Sequence, residues 1–128
     1  MNQDIYDKHA RAFKNVSAFV VLDSDANRVA TIAFKFPNDG ASRLNCYLHV
    51  MGVAMVKGHA DGYGYDKRSA ALANAARRVG DYDETDRNGH WKQHAETRDS
   101  IVAALKIDGG HSWIHELESV GFAVMQAV

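Results

Sequence analysis

A single cysteine, Cys46, and a single proline, Pro37, stand in a chain of 128 residues. One thiol can form no intrachain disulfide and no Cys-x-x-Cys metal or redox motif. No run of about 18 apolar residues occurs, so the sequence holds no pattern for a membrane-spanning helix, and no membrane partner is expected. Neither sign of charge dominates: 15 basic side chains face 16 acidic ones, a formal net charge of -1. That balance lacks the basic excess of a non-specific DNA binder and the carboxylate excess of a DNA mimic, so nucleic acid is not the expected partner. The opening MNQDIYDKHA has no apolar core of a signal peptide, and the cytoplasm of a host cell is the expected compartment.

What is present is ordinary globular composition, 46% hydrophobic and 24% charged. The length suits one domain, taken here as residues 1–128. Ile5, His9 and Phe13 recur at helical spacing, predicting a short amphipathic helix over residues 3–14. The period then changes. Val16–Leu22, residues 28–36 and Arg43–Val50 are rich in Val, Ile, Phe and Tyr, and each ends in turn chemistry. The turns are 23–27, Pro37-Asn38-Asp39-Gly40 and Met51-Gly52. Connections this short force antiparallel pairing, and a fourth strand over residues 54–59 completes a meander. In the third strand Leu44, Cys46, Leu48 and Val50 share one face, while Arg43, Asn45, Tyr47 and His49 share the other. That alternation predicts one face on the core and one polar face, open to solvent or to a ligand.

Asp66–Val79 reads as a helix with Asp66 as N-cap, Leu72, Ala75 and Val79 in one stripe, and Gly80 as its C′ residue. Its alanines allow close packing on a sheet. Residues 81–99 are dense in charge, with few apolar side chains beyond Tyr82 and Trp91, and are expected as a loop, an excursion or a partner-facing segment. Helical patterns return over residues 100–107 and 111–120, and residues 122–128 read as a last strand. The expected fold class is α+β: an antiparallel sheet of about five strands, a four-strand meander plus the C-terminal strand, with helices packed on one face.

The segments Arg28-Val-Ala-Thr-Ile-Ala-Phe-Lys-Phe-Pro37, Gly62-Tyr-Gly-Tyr-Asp-Lys67 with Ser69-Ala70-Ala71, and Gly121-Phe-Ala-Val-Met-Gln-Ala-Val128 resemble small, largely uncharacterised accessory proteins carried by prophages and plasmids. The likeness spans most of the chain but skips residues 81–99. It implies a mobile-element setting, in which small proteins without enzymatic motifs often counter host defence. It brings no catalytic residues with it.

The candidate ligand site is the run from strand to helix start: Lys57, His59, Gly62, Tyr63, Gly64, Tyr65, Lys67, Arg68 and Ser69. Free N–H groups at a helix start favour anions, and glycines let the backbone approach a phosphate. Lys67, Arg68 and Ser69 would add donors, and Tyr63 or Tyr65 could stack on a base. The run is neither a Walker loop nor Gly-x-Gly-x-x-Gly, and the alternative is a plain strand-to-helix turn. The pairs His90/His94 and His111/His115 have helical metal spacing but no His-Glu-x-x-His form, and solvated histidines are the simpler reading. Cys46 lies on the apolar face of its strand and His49 on the other, which favours an inert core thiol over a nucleophile. Asp81, Asp83, Glu84 and Asp86 read as a solvated or partner-facing run. No cofactor is expected. The functional expectation is a non-enzymatic binding protein that sequesters a phosphate-bearing nucleotide signal, with direct inhibition of a host defence protein as the alternative. A nucleotide-processing enzyme ranks last. A homo-oligomer is expected, formed through the face that carries Arg43, Tyr47 and His49.

Overall fold

The computed structural model describes residues 16–35, 43–51, 55–62, 66–79, 94–107 and 112–127. Four strands follow one another as β1 (Val16–Leu22), β2 (Arg28–Lys35), β3 (Arg43–Val50) and β4 (Val56–Asp61). Three helices come next, α1 (Asp66–Val79), α2 (Ala95–Leu105) and α3 (Trp113–Ser119), and β5 (Ala123–Gln126) closes the chain. The sheet order is β4-β3-β2-β1-β5, every neighbouring pair antiparallel. This is the α+β architecture expected from the strand alternation and the short turns. β5 pairs with β1, so the last strand becomes an edge and the meander supplies the other four.

The β1–β2 hairpin is set by Asp23. Its Oδ1 accepts hydrogen bonds from the backbone N–H of Asp25 and Asn27, both at 2.9 Å, and holds the chain in an Asx-type turn. Those bonds hold the Asp23 carboxyl below its usual range; the backbone N–H of Asn27 is the main cause.

Register assigns the faces. Phe19, Ile32, Leu48 and Val56 form one cross-strand row, and Phe34, Cys46 and Gly58 another. Both rows meet the helices, joined by Leu72, Ala75, Ile101, Leu105, Trp113 and Leu117 in one buried core. Trp113 of α3 packs edge-on to Phe19 at 5.0 Å between ring centres and lies 5.8 Å from Phe34. Such aromatic contacts add to the burial of the rings themselves.

The close seat of α1 on β4 depends on Gly58. A Cβ there would fall 2.3 Å from Ala75 N and 2.6 Å from Ala71 O, inside helix backbone. Strand residue and helix stripe are thus small together, which is what the alanine run made possible.

Some expectations require correction. β4 is Val56–Asp61 rather than 54–59. Residues 95–99, read as part of a charged excursion, form the first half of α2. Arg98 explains why: it carries a charge but is buried, so the charge hid a helical position that packs. Asp66, read as an N-cap, is already the first helical residue. The N-cap of α3 is Ser112, whose Oγ accepts the His115 N–H at 3.1 Å. The helix expected at 3–14, Gly80 and the charged run 81–93 lie outside the described residues.

Candidate ligand cleft

Along the edge strand β4 the side chains of Lys57 and His59 lie on the sheet face away from the helices, and Gly58 lies beneath α1. Asn74, halfway along α1, reaches over this edge. Its Nδ2 donates to the His59 carbonyl at 2.8 Å, and its Oδ1 accepts from Arg77 Nη1 at 2.6 Å. The helix therefore clasps the strand edge through Asn74, and Arg77 fixes the amide.

Beside this clasp is a cleft of about 260 Å³ lined by Gly58, His59, Asn74 and Arg78. Arg78 is exposed, and no hydrogen bond or ion pair holds it among the described residues. His59 is likewise exposed, and among the described residues the one side-chain hydrogen bond to it is that of Asn74 to its backbone carbonyl. Asn74, Arg77 and Arg78 share one side of α1 because residues three and four apart are neighbours on a helix. Arg77 and Arg78 also sit in the last turn, where positive charge complements the helix dipole. That dipole disfavours an anion at this end, so any attraction must come from side chains.

The residues expected to form one site divide into separate groups. His59 lines the cleft. Lys57 is next to it along the strand, its ammonium 6.0 Å from the centre of the Tyr47 ring, a weak cation–π contact at an exposed position. Gly62 has φ +98, the left-handed conformation that glycine tolerates, and Lys67 lies back against it; a Cβ at Gly62 would be 3.2 Å from Lys67 Cε. Arg68, expected to donate to a bound anion, is partly buried: Nη2 donates to Ser17 Oγ at 2.9 Å, and the guanidinium lies 5.2 Å from the Phe34 ring centre. It ties α1 to the β1–β2 side of the sheet. Ser69 is partly buried beside it in sequence. Lys67 and Asn74 are seven residues apart on α1, roughly 10 Å along the axis, so the helix start and the cleft are distinct places. Tyr63, Gly64 and Tyr65 lie outside the described residues.

Asn74, Arg77 and Arg78 were missed by sequence reasoning, which followed the glycines to the helix start. The signal was Gly58 between Lys57 and His59: a glycine inside a strand marks close backbone approach. An Asn and two Arg at spacing 0, 3 and 4 on the next helix would then have named the partner face.

Other candidates are placed as follows. Cys46 is fully buried beneath the helices, and burial pushes its thiol well above the ordinary range. His49 and His59 are on the opposite face of the sheet. Among the described residues no three His, Cys, Asp or Glu side chains gather as a metal site. His90, His111 and the acidic run 81–86 lie outside the described residues, while His115 is exposed on α3. The face of Arg43, Asn45, Tyr47 and His49 is not an open platform: Thr31 and Asn45 are buried, and Ala18 and Ala33 form a second small cluster with Tyr47 and Ala127. Among the described residues no helix is long and apolar enough to cross a membrane. Comparison with family models, curated proteins and solved structures finds no match to this chain.

Proposed function

We propose that this chain is a binding protein that takes a phosphate-bearing ligand in the cleft between β4 and α1. The observation that carries the reading is the cleft itself, with His59 and Asn74 along it and an Arg78 guanidinium that is unengaged among the described residues. A guanidinium presents paired N–H donors suited to phosphate oxygens. Two charge-assisted contacts contribute roughly 3–6 kcal/mol in total, and micromolar affinity needs about 8. Asn74 does not supply the remainder: one Nδ2–H and one Oδ1 lone pair are already used, and a contact from its second N–H is worth only about 1–3 kcal/mol. The difference must come from the rest of the ligand, which favours a nucleotide over free phosphate. In the mobile-element setting implied by the resemblance, such a protein would remove a nucleotide signal of host defence.

Calorimetry with mononucleotides, cyclic dinucleotides, ADP-ribose and inorganic phosphate tests this. At least one nucleotide is expected to bind at micromolar concentration and inorganic phosphate about a hundredfold or more weaker, near millimolar. Arg78→Glu is expected to abolish nucleotide binding with only a small loss of melting temperature, because the side chain is exposed and only its fit to the helix dipole is lost. Failure of the whole panel, or full binding by Arg78→Glu, would transfer the reading to direct inhibition of a defence protein.

A further inference from the structure

The two edges of the sheet are treated differently by the sequence. At β4 the edge carries Lys57, His59 and Asp61 and is clasped by Asn74 from α1. Charge and cover of this kind are how sheet edges avoid pairing with other chains. β5, the opposite edge, reads Ala-Val-Met-Gln and has no charged residue and no proline. Ala123 and Met125 are exposed, Met125 at 58%.

The ladder fixes which backbone groups of β5 face outward. Ala127 N–H donates to Ala18 O at 2.7 Å, and Phe19 is opposite Gln126, so Ala123 and Met125 exchange their bonds with β1. Val124, one residue out of phase, directs its N–H and C=O away from β1.

We infer that β5 pairs with β5 of a second copy, antiparallel and with Val124 opposite Val124 on a two-fold axis. Three features select a second copy as the occupant. A two-fold pairing places each strand against itself, and an uncharged strand meets no like charge there. The register puts exposed Met125 beside Ala123 of the partner subunit on the same face, a long side chain over a short one, twice by symmetry. α3 packs against β5, so its exposed neighbour Val120 is carried to the border of the same junction. A four-residue strand pair is far smaller than the roughly 1,200 Å² of a stable interface, so the dimer forms with increasing protein concentration rather than permanently. The inference is independent of the cleft, which lies at the other edge.

Sedimentation velocity of the full chain from low to high micromolar concentration is expected to show a monomer passing into a dimer. Val124→Pro removes an outward N–H and trims a side chain that packs against the core; proline suits an edge strand, so this variant is expected to fold with reduced stability and remain monomeric. A chain carrying both Ala123→Cys and Met125→Cys provides a test that does not depend on the proline variant. In the inferred register each new thiol faces the other in the partner at the short cross-strand spacing, and mild oxidation is expected to give a covalent dimer. Cys46 is buried and contributes no competing thiol. A wild-type chain that stays monomeric throughout overturns the inference. So does a dimer that persists in a folded Val124→Pro chain, or a double-cysteine chain that oxidises without crosslinking.

Discussion

Ala26 occupies the left-handed region at φ 63° in the turn between β1 and β2, where Cβ crowds the backbone of any residue but glycine. Ala26→Gly removes that strain at the cost of a more flexible unfolded chain. The expected net gain is about 0.5–1 kcal/mol, read as a higher midpoint in urea at unchanged slope. His49 sets a pH dependence. Burial lowers its pKa below the ordinary imidazole value, so the unfolded chain takes up a proton more readily than the folded one. The stability it contributes is complete above about pH 6.5 and falls as the pH drops through that value towards the folded pKa. Urea titrations between neutral and mildly acid pH are expected to show this loss, with a shallower slope in His49→Gln. An equal slope in the variant would assign the effect to another group.

At the level of elements, the contact between α1 and β4 carries the fold and forms the cleft. Gly58→Ala forces a Cβ into helix backbone, which cannot move as a side-chain tip can. Overpacking of this severity is expected to cost about 3 kcal/mol or more, measured by chemical denaturation. Arg68 links the same helix to β1 through Ser17, so Arg68→Glu is expected to lower the melting temperature clearly more than Arg78→Glu, which loses only a favourable charge at the helix end. The contrast separates two arginines that look alike in the sequence. α2 shows the limit of periodicity: Ile101, Val102 and Leu105 were readable, but Arg98 is buried in the preceding turn, and charge at a packed position defeats a hydrophobic pattern.

For the whole molecule, a net charge of -1 provides no long-range field to gather an anionic ligand. Attraction at the cleft is local, between exposed groups, and added salt screens it. Raising the salt from about 0.1 M to 1 M shortens the screening length from about 10 Å to about 3 Å. Nucleotide affinity is therefore expected to fall several-fold over that range in calorimetry, and a salt-independent affinity would argue against Arg78 as the anchor.

The sequence by itself determined the strand meander, its antiparallel pairing and the face on which Cys46 is buried. These follow from two-residue alternation and from turns too short for a crossover, both local properties. It also located α1 and its small-residue stripe. Only the tertiary structure decided that β5 lies beside β1, because that pairing joins segments about a hundred residues apart and no local pattern encodes it. The same holds for the residues of the candidate cleft. Lys57, His59, Lys67 and Arg68 are close in sequence, yet the chain reverses between β4 and α1 and carries the last two away. Asn74 and Arg78 come to His59 instead, because Gly58 lets the helix lie directly on the strand. Proximity across that contact is set by the packing distance between two backbones, which exists only once the helix has docked.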